Sequence, residues 1–467
     1  MDDAPVPPRH DQNPPRGDAD APVSPRALAW VDTGAVAQSS AAVDIAQLTG
    51  PYRPAAPDLL ARRPRRRVRP AAVWGPVAGA AALASVYATA ALLWPLDHVQ
   101  PTITAAAVGE VQAPASAVTW PVFGSAAVGV AGVDAVPSSA TDFERMASLT
   151  KVVTALVVLD ADPLQPGEPG PERRFTAEDR ALYWQYLGRG ESALDVPVGG
   201  TLSQVQLLQG MLIGSAGNYA HTLAVDRWPT DADFAAAANA FLASHDIDGI
   251  TIVDPSGIGV GNVATPTALI EVAELAMADP VIADIVGTET VELPGAGVVE
   301  NTNALIGDGA TGLKTGTLYG GYNLLAADEV TVGDTPVEIF AAVLGQPSNA
   351  LRFAETERLL TELAAELDAP AVVPEGTTVA EVQTLWGDRS DVVTAEPAEA
   401  AVWNGTVASA STDVALTGDR TAGGEAGTLT FAGPIDQDTV ALILSDTIGE
   451  PDAWWRLTHP LELFGLR

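Results

Sequence analysis

Only two lysines occur among the 467 residues, Lys151 and Lys314, against 22 arginines. A surface cation can be either residue, but only lysine can lose its proton in a dry pocket and act as a neutral base. Ser148 precedes Lys151 by three positions, so on a helix the two side chains share one face a turn apart. A serine hydroxyl is a weak nucleophile until a base takes its proton. The run after Ser148, Lys151 to Asp160 (KVVTALVVLD), is apolar on nearly every side. It predicts a helix buried in a core, whose burial lowers the lysine pKa and makes it that base. At the start of such a helix, unpaired N–H groups favour developing negative charge.

The second lysine opens Lys314-Thr315-Gly316-Thr317 on an expected strand. Lys314 brings positive charge, Thr315 and Thr317 bring hydroxyls, and Gly316 admits a close backbone approach. Together they form a receptor for a carboxylate at a sheet edge. The backbone N–H groups of Ser148 and Thr317 are candidates for an oxyanion hole.

The chain that must position these groups changes character along its length. Residues 1–70 are rich in Pro, Asp and Ala, which predicts a disordered tail; it ends in the arginine cluster Arg62 to Arg69. Residues 71–94 carry no charge and are long enough to span about 30 Å of hydrocarbon as a helix, with Trp74 and Trp94 near its ends. The arginines before it place the N-terminus in the cytoplasm and the rest outside, as a single-pass protein of the cytoplasmic membrane. Residues 95–117 read as a linker. Residues 118–368 alternate strand and helix patterns, beginning with an expected hairpin of TWPVFG and AAVGVAG. Helices are expected over 202–225, broken at Gly214-Ser215-Ala216-Gly217, then over Asp231–Ser244, Pro266–Ala278 and Asn349–Leu367. Residues 369–467 show short alternating strands between turn residues, which predicts a small β-sandwich.

Composition narrows the functions. Beyond residue 94 the chain holds 51 acidic and 14 basic side chains, a surface that repels nucleic acid. There is no cysteine, which excludes disulfides and a thiolate nucleophile. The five histidines show no paired spacing, so no metal site is expected.

The order of S-x-x-K, a serine-bearing helical loop and K-T-G resembles that of the penicillin-recognising serine enzymes. The stretches ASLTKVVTALVVLD, VGGTLSQVQLLQGMLIGSAGNYAHTLA, DPSGIGVGN, NTNALIGDGATGLKTGT and WWRLTHP are similar to D-alanyl-D-alanine carboxypeptidases of the low-molecular-mass penicillin-binding protein type. The resemblance covers residues 120–365 well and the C-terminal part loosely. It implies an α/β (α+β) β-lactamase/transpeptidase-like serine domain, an antiparallel sheet with helices. It makes Ser148 the acylated nucleophile, Lys151 its base, and Lys314 and Thr315 the holders of a terminal carboxylate. The implied partners are a peptidoglycan stem peptide ending in D-Ala-D-Ala and β-lactams as covalent inhibitors, with no cofactor. The family's middle motif, S-x-N, falls on Ser215 with Gly217 where asparagine is expected and Asn218 one position late. Either a local shift lets Asn218 hold the substrate amide, or that contact is missing; Ser215 can still relay a proton.

Two other readings compete. A serine β-lactamase carries E-x-x-L-N after the middle motif, whereas Glu191-Ser192-Ala193-Leu194-Asp195 precedes it and reads as a surface loop. A peptidoglycan-binding protein that has lost catalysis would account for Gly217.

Overall fold

A computed structural model describes residues 70–96, 99–416 and 418–466. The expected tail lies outside the described residues, apart from Pro70. The chain divides into two compact units, Met1–Ala80 and Ala81–Arg467. The helix Pro70–Leu93 begins in the first; by length and composition it is apolar enough to cross a membrane.

The second unit contains a four-stranded antiparallel sheet in the order Gly312–Leu318, Gly321–Val332, Thr335–Gln346, Ser125–Val130. Alternate side chains leave opposite faces, so both faces must be covered. Ala126, Val128 and Val130 pack with Leu359, Leu363 and Leu367 of the closing helix Asn349–Leu367. Ala127, Leu325, Phe340 and Ala342 face the other way, into a larger core built by the helices between residues 150 and 286. At its centre lies Thr150–Ala161, in which every side chain from Thr150 to Leu159 is buried. A helix enclosed on all sides needs apolar residues on all sides, which is why its sequence lacks a polar face.

The helices Asp231–Ser244 and Asn349–Leu367 form where expected. Thr265 caps Pro266–Met277, accepting from Ala268 N at 3.3 Å. The 202–225 segment breaks at its glycines into Gln204–Leu212 and Gly217–Val225, with Ser215 between them at φ +59°.

Two expectations need correction. Residues 118–123 form no strand; Ser125–Val130 pairs with Thr335–Gln346 instead of a sequence neighbour. Gly124, at φ +65°, passes so close to Leu344 O that a Cβ would sit 1.8 Å from it, which fixes this crossing rather than a hairpin turn. The expected linker 95–117 is also partly sheet. Thr102–Ala105 pairs with Thr378–Gln383, and Val111–Gln112 with Val407 and Ala408. These are the two edges of a seven-stranded antiparallel sheet built mainly from residues 378–444. A two-stranded ladder, Ala371–Val373 with Ala398–Ala400, shares its core with Val382, Val392, Leu429 and Phe431.

Candidate active site

A cleft of about 410 Å³ opens where the first turn before the buried helix meets the edge strand Gly312–Leu318. Ser148, Lys151, Glu191, Gly217, Ser256 and Thr317 are among the residues lining it. Ser148 sits in a short 3-10 turn, Ala147–Leu149, that runs into Thr150–Ala161. Ala147 before it is held at φ +51°, a conformation that costs a non-glycine residue about 1–3 kcal/mol. Two glycines explain how the turn is held. A Cβ on Gly257 would lie 1.9 Å from Ala147 O, and one on Gly316 would lie 2.8 Å from Met146 O and 3.3 Å from Ser148 N. The DPSGIGVGN loop and the KTG strand therefore press backbone to backbone against the serine turn. Asn323 ties the third side, donating to Arg145 O at 2.7 Å.

Lys151 Nζ donates to Ser148 Oγ at 2.8 Å and to Ser256 O at 2.6 Å. Only 2 % of the residue is exposed. Burial pulls its pKa down from the ordinary lysine range to about 7, against the pull of the Asp254 and Glu191 carboxylates. Near neutral pH a substantial fraction is thus the free amine, able to take the serine proton.

The carbonyl that orients Lys151 is fixed by Asp254. Its Oδ1 accepts from Ser256 N, Ser256 Oγ and Gly257 N, and its Oδ2 from Gly259 N and Asn262 Nδ2. Burial opposes ionisation of this carboxyl, but the hydrogen bonds outweigh it and hold the pKa below its usual range. Thr154 Oγ1 donates to Pro255 O at 2.8 Å, fastening the loop to the buried helix.

Lys314 is fully buried and does not line the cleft; its Nζ donates to Thr302 Oγ1 at 3.2 Å, as does Thr315 Oγ1 at 2.8 Å. Burial depresses the Lys314 pKa well below the ordinary range, and the Lys151 and Arg352 charges push it the same way. A third buried cation is Arg352, whose pKa burial lowers to about 10, so it stays charged near neutral pH. Its Nη1 donates to Gly316 O and to Thr317 Oγ1, both at 3.1 Å. A guanidinium is thus fixed behind Thr317, the one hydroxyl of the KTGT stretch that lines the cleft.

Of the two alternatives for the middle motif's amide, the geometry matches the missing contact. Asn218 is 1 % exposed and directs its whole amide at Leu194, so it offers nothing to a ligand. Gly217 lines the cleft, but a Cβ there would lie 2.6 Å from the Tyr186 ring. Tyr186, from the helix Ala177–Gly188, fills the space a larger side chain at 217 would need. Ser215 is 5 % exposed and stands outside the lining of the cleft.

The Glu191 stretch is an irregular loop with Ser192 exposed, as expected, but it also walls the cleft. Asn218 pins Leu194, Tyr219 Oη donates to Asp195 O at 2.8 Å, and Gly217 N donates to Ser192 O at 2.8 Å. These bonds turn Glu191 into the cleft. Its Oε2 is buried without a hydrogen-bond partner. Burial raises its pKa, opposed by Arg189 and Lys151. Among sequence signals, only the near-match to E-x-x-L-N pointed at it; Tyr186, Asp254 and Arg352 carried none beyond their places in longer stretches.

Solved structures similar to this chain include DD-transpeptidases and penicillin-binding proteins. The Streptomyces K15 DD-transpeptidase is 23 % identical over 53 % of this chain and 100 % of that one, with a TM-score of 0.46. Penicillin binding protein 5 from Haemophilus influenzae is 16 % identical over 71 % of this chain and 100 % of its own, with a TM-score of 0.49. Penicillin-Binding Protein D2 from Listeria monocytogenes, solved in an ampicillin-bound form, is 25 % identical over 51 % of this chain and 96 % of that one, at 0.42. No protein-family profile and no curated protein matches the chain.

Proposed function

We propose that the protein is a membrane-anchored serine D,D-carboxypeptidase that removes the terminal D-alanine of peptidoglycan stem peptides outside the cytoplasmic membrane. The observation that carries the reading is the buried Lys151 amine, 2.8 Å from Ser148 Oγ with a pKa near 7. In this reaction neutral Lys151 takes the Ser148 proton as Oγ bonds to the carbonyl carbon of the penultimate D-alanine. The backbone N–H groups of Ser148 and Thr317 receive the oxyanion. The C–N bond breaks, the leaving amine takes up the proton, and free D-alanine departs. Thr317, with Arg352 behind it, faces the substrate's terminal carboxylate; Lys314 and Thr315 brace that end through Thr302, and Gly316 keeps the strand against the serine. Water then adds to the acyl-enzyme, Glu191 takes its proton, and Ser148 is regenerated.

The position of Glu191 also favours a second reading, a β-lactamase-like hydrolase, because a carboxylate beside the acylated serine activates water against any acyl group. A catalytically impaired peptidoglycan-binding protein has less support, since binding alone requires no lysine against a serine. Mass spectrometry of the intact protein, first with penicillin and then with a diacyl-D-Ala-D-Ala peptide, tests the reading. A penicillin adduct on wild type, absent in Ser148→Ala, together with D-alanine release from the peptide supports it. Faster turnover of penicillin than of peptide selects the β-lactamase reading, and no adduct at all removes the enzyme.

A further inference from the structure

The last described residues form two short helices, Ala453–Thr458 and Pro460–Leu463, and their placement is unlike a loose terminus. They pack along the Leu93 end of the apolar helix. Tyr87 Oη donates to Leu457 O at 2.6 Å, and Arg456 Nη1 donates to Trp94 O at 2.9 Å and to Leu92 O at 3.4 Å. The last carbonyls of a helix have no partner within it, so a buried arginine here satisfies groups that otherwise need water. Arg456 is 8 % exposed and ion-paired to Glu450 at 3.1 Å. Ala91, Val99, Trp455 and Leu463 form one small core, and Trp94 meets Phe464 edge to face at 4.8 Å. On the far side Trp455 meets Trp386 at 5.7 Å, and Trp386 Nε1 donates to Gly449 O, joining the grip to the seven-stranded sheet domain.

The same segment holds large apolar side chains away from this core. Trp454 is 74 % exposed, Leu461 51 % and Leu466 72 %; Leu93 of the helix is 77 % exposed. The segment that carries them packs on the end of a helix whose stretch before that contact, from Pro70 to Val86, is about 25 Å long at 1.5 Å per residue. That length approximates the hydrocarbon core, which leaves residues 87–94 and whatever grips them at the depth of the headgroups. Exposed tryptophan with leucine, and no exposed basic cluster among the described residues of the segment, suits that zone through its apolar and aromatic groups rather than through charge.

We infer that the C-terminal segment Ala453–Leu466 is an interfacial clasp: it grips the Leu93 end of the apolar helix and lays Trp454, Leu461 and Leu466 into the headgroup region of the bilayer that the helix enters. The inference rests on the proposed membrane anchoring of that helix.

The absence of cysteine allows unique labels. Trp454→Cys, Leu461→Cys, Leu83→Cys and the exposed Val298→Cys are each labelled with a fluorophore, and the full chain is reconstituted in phosphatidylcholine bilayers. Quenching by shallow spin-labelled lipid is compared with quenching by an aqueous collider. Positions 454 and 461 are expected to show a lipid-to-aqueous ratio several-fold above that of 298 and unchanged by salt. If 454 and 461 match 298 while 83 is lipid-quenched, the helix spans but the clasp is wrong. If 83 also matches 298, the anchoring itself fails and the clasp with it.

Discussion

Asn218 donates to Leu194 O at 2.8 Å and accepts from Leu194 N at 3.1 Å, so one buried side chain fixes both polar groups of one peptide residue. The loop it fixes carries Glu191. Replacing Asn218 with Ala strands two buried backbone groups, at a cost of about 1–3 kcal/mol each before relaxation. Asn218→Ala is expected to unfold at lower denaturant concentration and to slow deacylation more than acylation. A pure acylation defect measured by penicillin labelling would show that Asn218 reaches substrate after all.

Glu191→Gln keeps the shape of the side chain and removes the base. Acylation of Ser148 should continue while turnover of the acyl-enzyme falls by about 10²–10⁴-fold. Stopped-flow labelling followed by chase with unlabelled substrate measures both steps. Unchanged release from Glu191→Gln would move the water-activating role elsewhere.

The acylation rate should follow the free-amine fraction of Lys151. With a pKa of about 7, the rate rises roughly tenfold per pH unit on the acid side and levels off above that value. Lys151→Arg, which cannot lose its proton, should abolish labelling, while Lys314→Arg should leave weakened labelling. Equal labelling of both variants across pH 5–9 would overturn the separate roles.

The same lysine loads the fold. Its pKa falls from 10.5 unfolded to about 7 folded, so between these values the unfolded chain binds the extra proton and stability rises with pH. The penalty is complete below pH 7 and gone above 10.5, a swing of roughly 5 kcal/mol at most. Lys151→Met leaves Ser256 O without its partner, which takes back about 1–3 kcal/mol. The variant should therefore be more stable than wild type at pH 6, by about 2 kcal/mol, and lose that advantage by pH 10. Denaturation at the two pH values decides it.

Restoring a side chain at Gly217 should be harmful because Tyr186 already holds the space. Gly217→Asn is expected to cost about 1–3 kcal/mol through overpacking. In a Tyr186→Ala background the added cost should shrink, giving a coupling of about 0.5–3 kcal/mol in a double-mutant cycle. Additive losses would mean the ring yields freely.

The serine and its lysine were legible in the sequence because their relation is local: three positions on one turn, followed by an apolar run that only a buried helix tolerates. The KTG stretch was legible as a strand, yet its charges were not. Lys314 read as the cation for a carboxylate; the fold buries it and also sets Arg352, from the closing helix, behind Thr317, a neighbour that no local pattern announced. That the Glu191 loop faces the cleft was not legible for a related reason. Its place in the cleft depends on bonds from Gly217, Asn218 and Tyr219, and no local pattern encodes them. The short strands at 102–105 and 111–112 escaped because two to four residues carry too little alternation to register.

The strand Gly312–Leu318 lies at the edge of its sheet, but it is buried from Gly312 to Gly316 and surfaces only at Thr317 and Leu318. An extended peptide laid beside it gains ladder partners for about 7 Å, the length of two residues. Under the proposed function this sets a reading length. On that proposal the last two residues of a stem would carry recognition, so variation in the third residue or in cross-linking should alter access to the cleft far more than the chemistry within it.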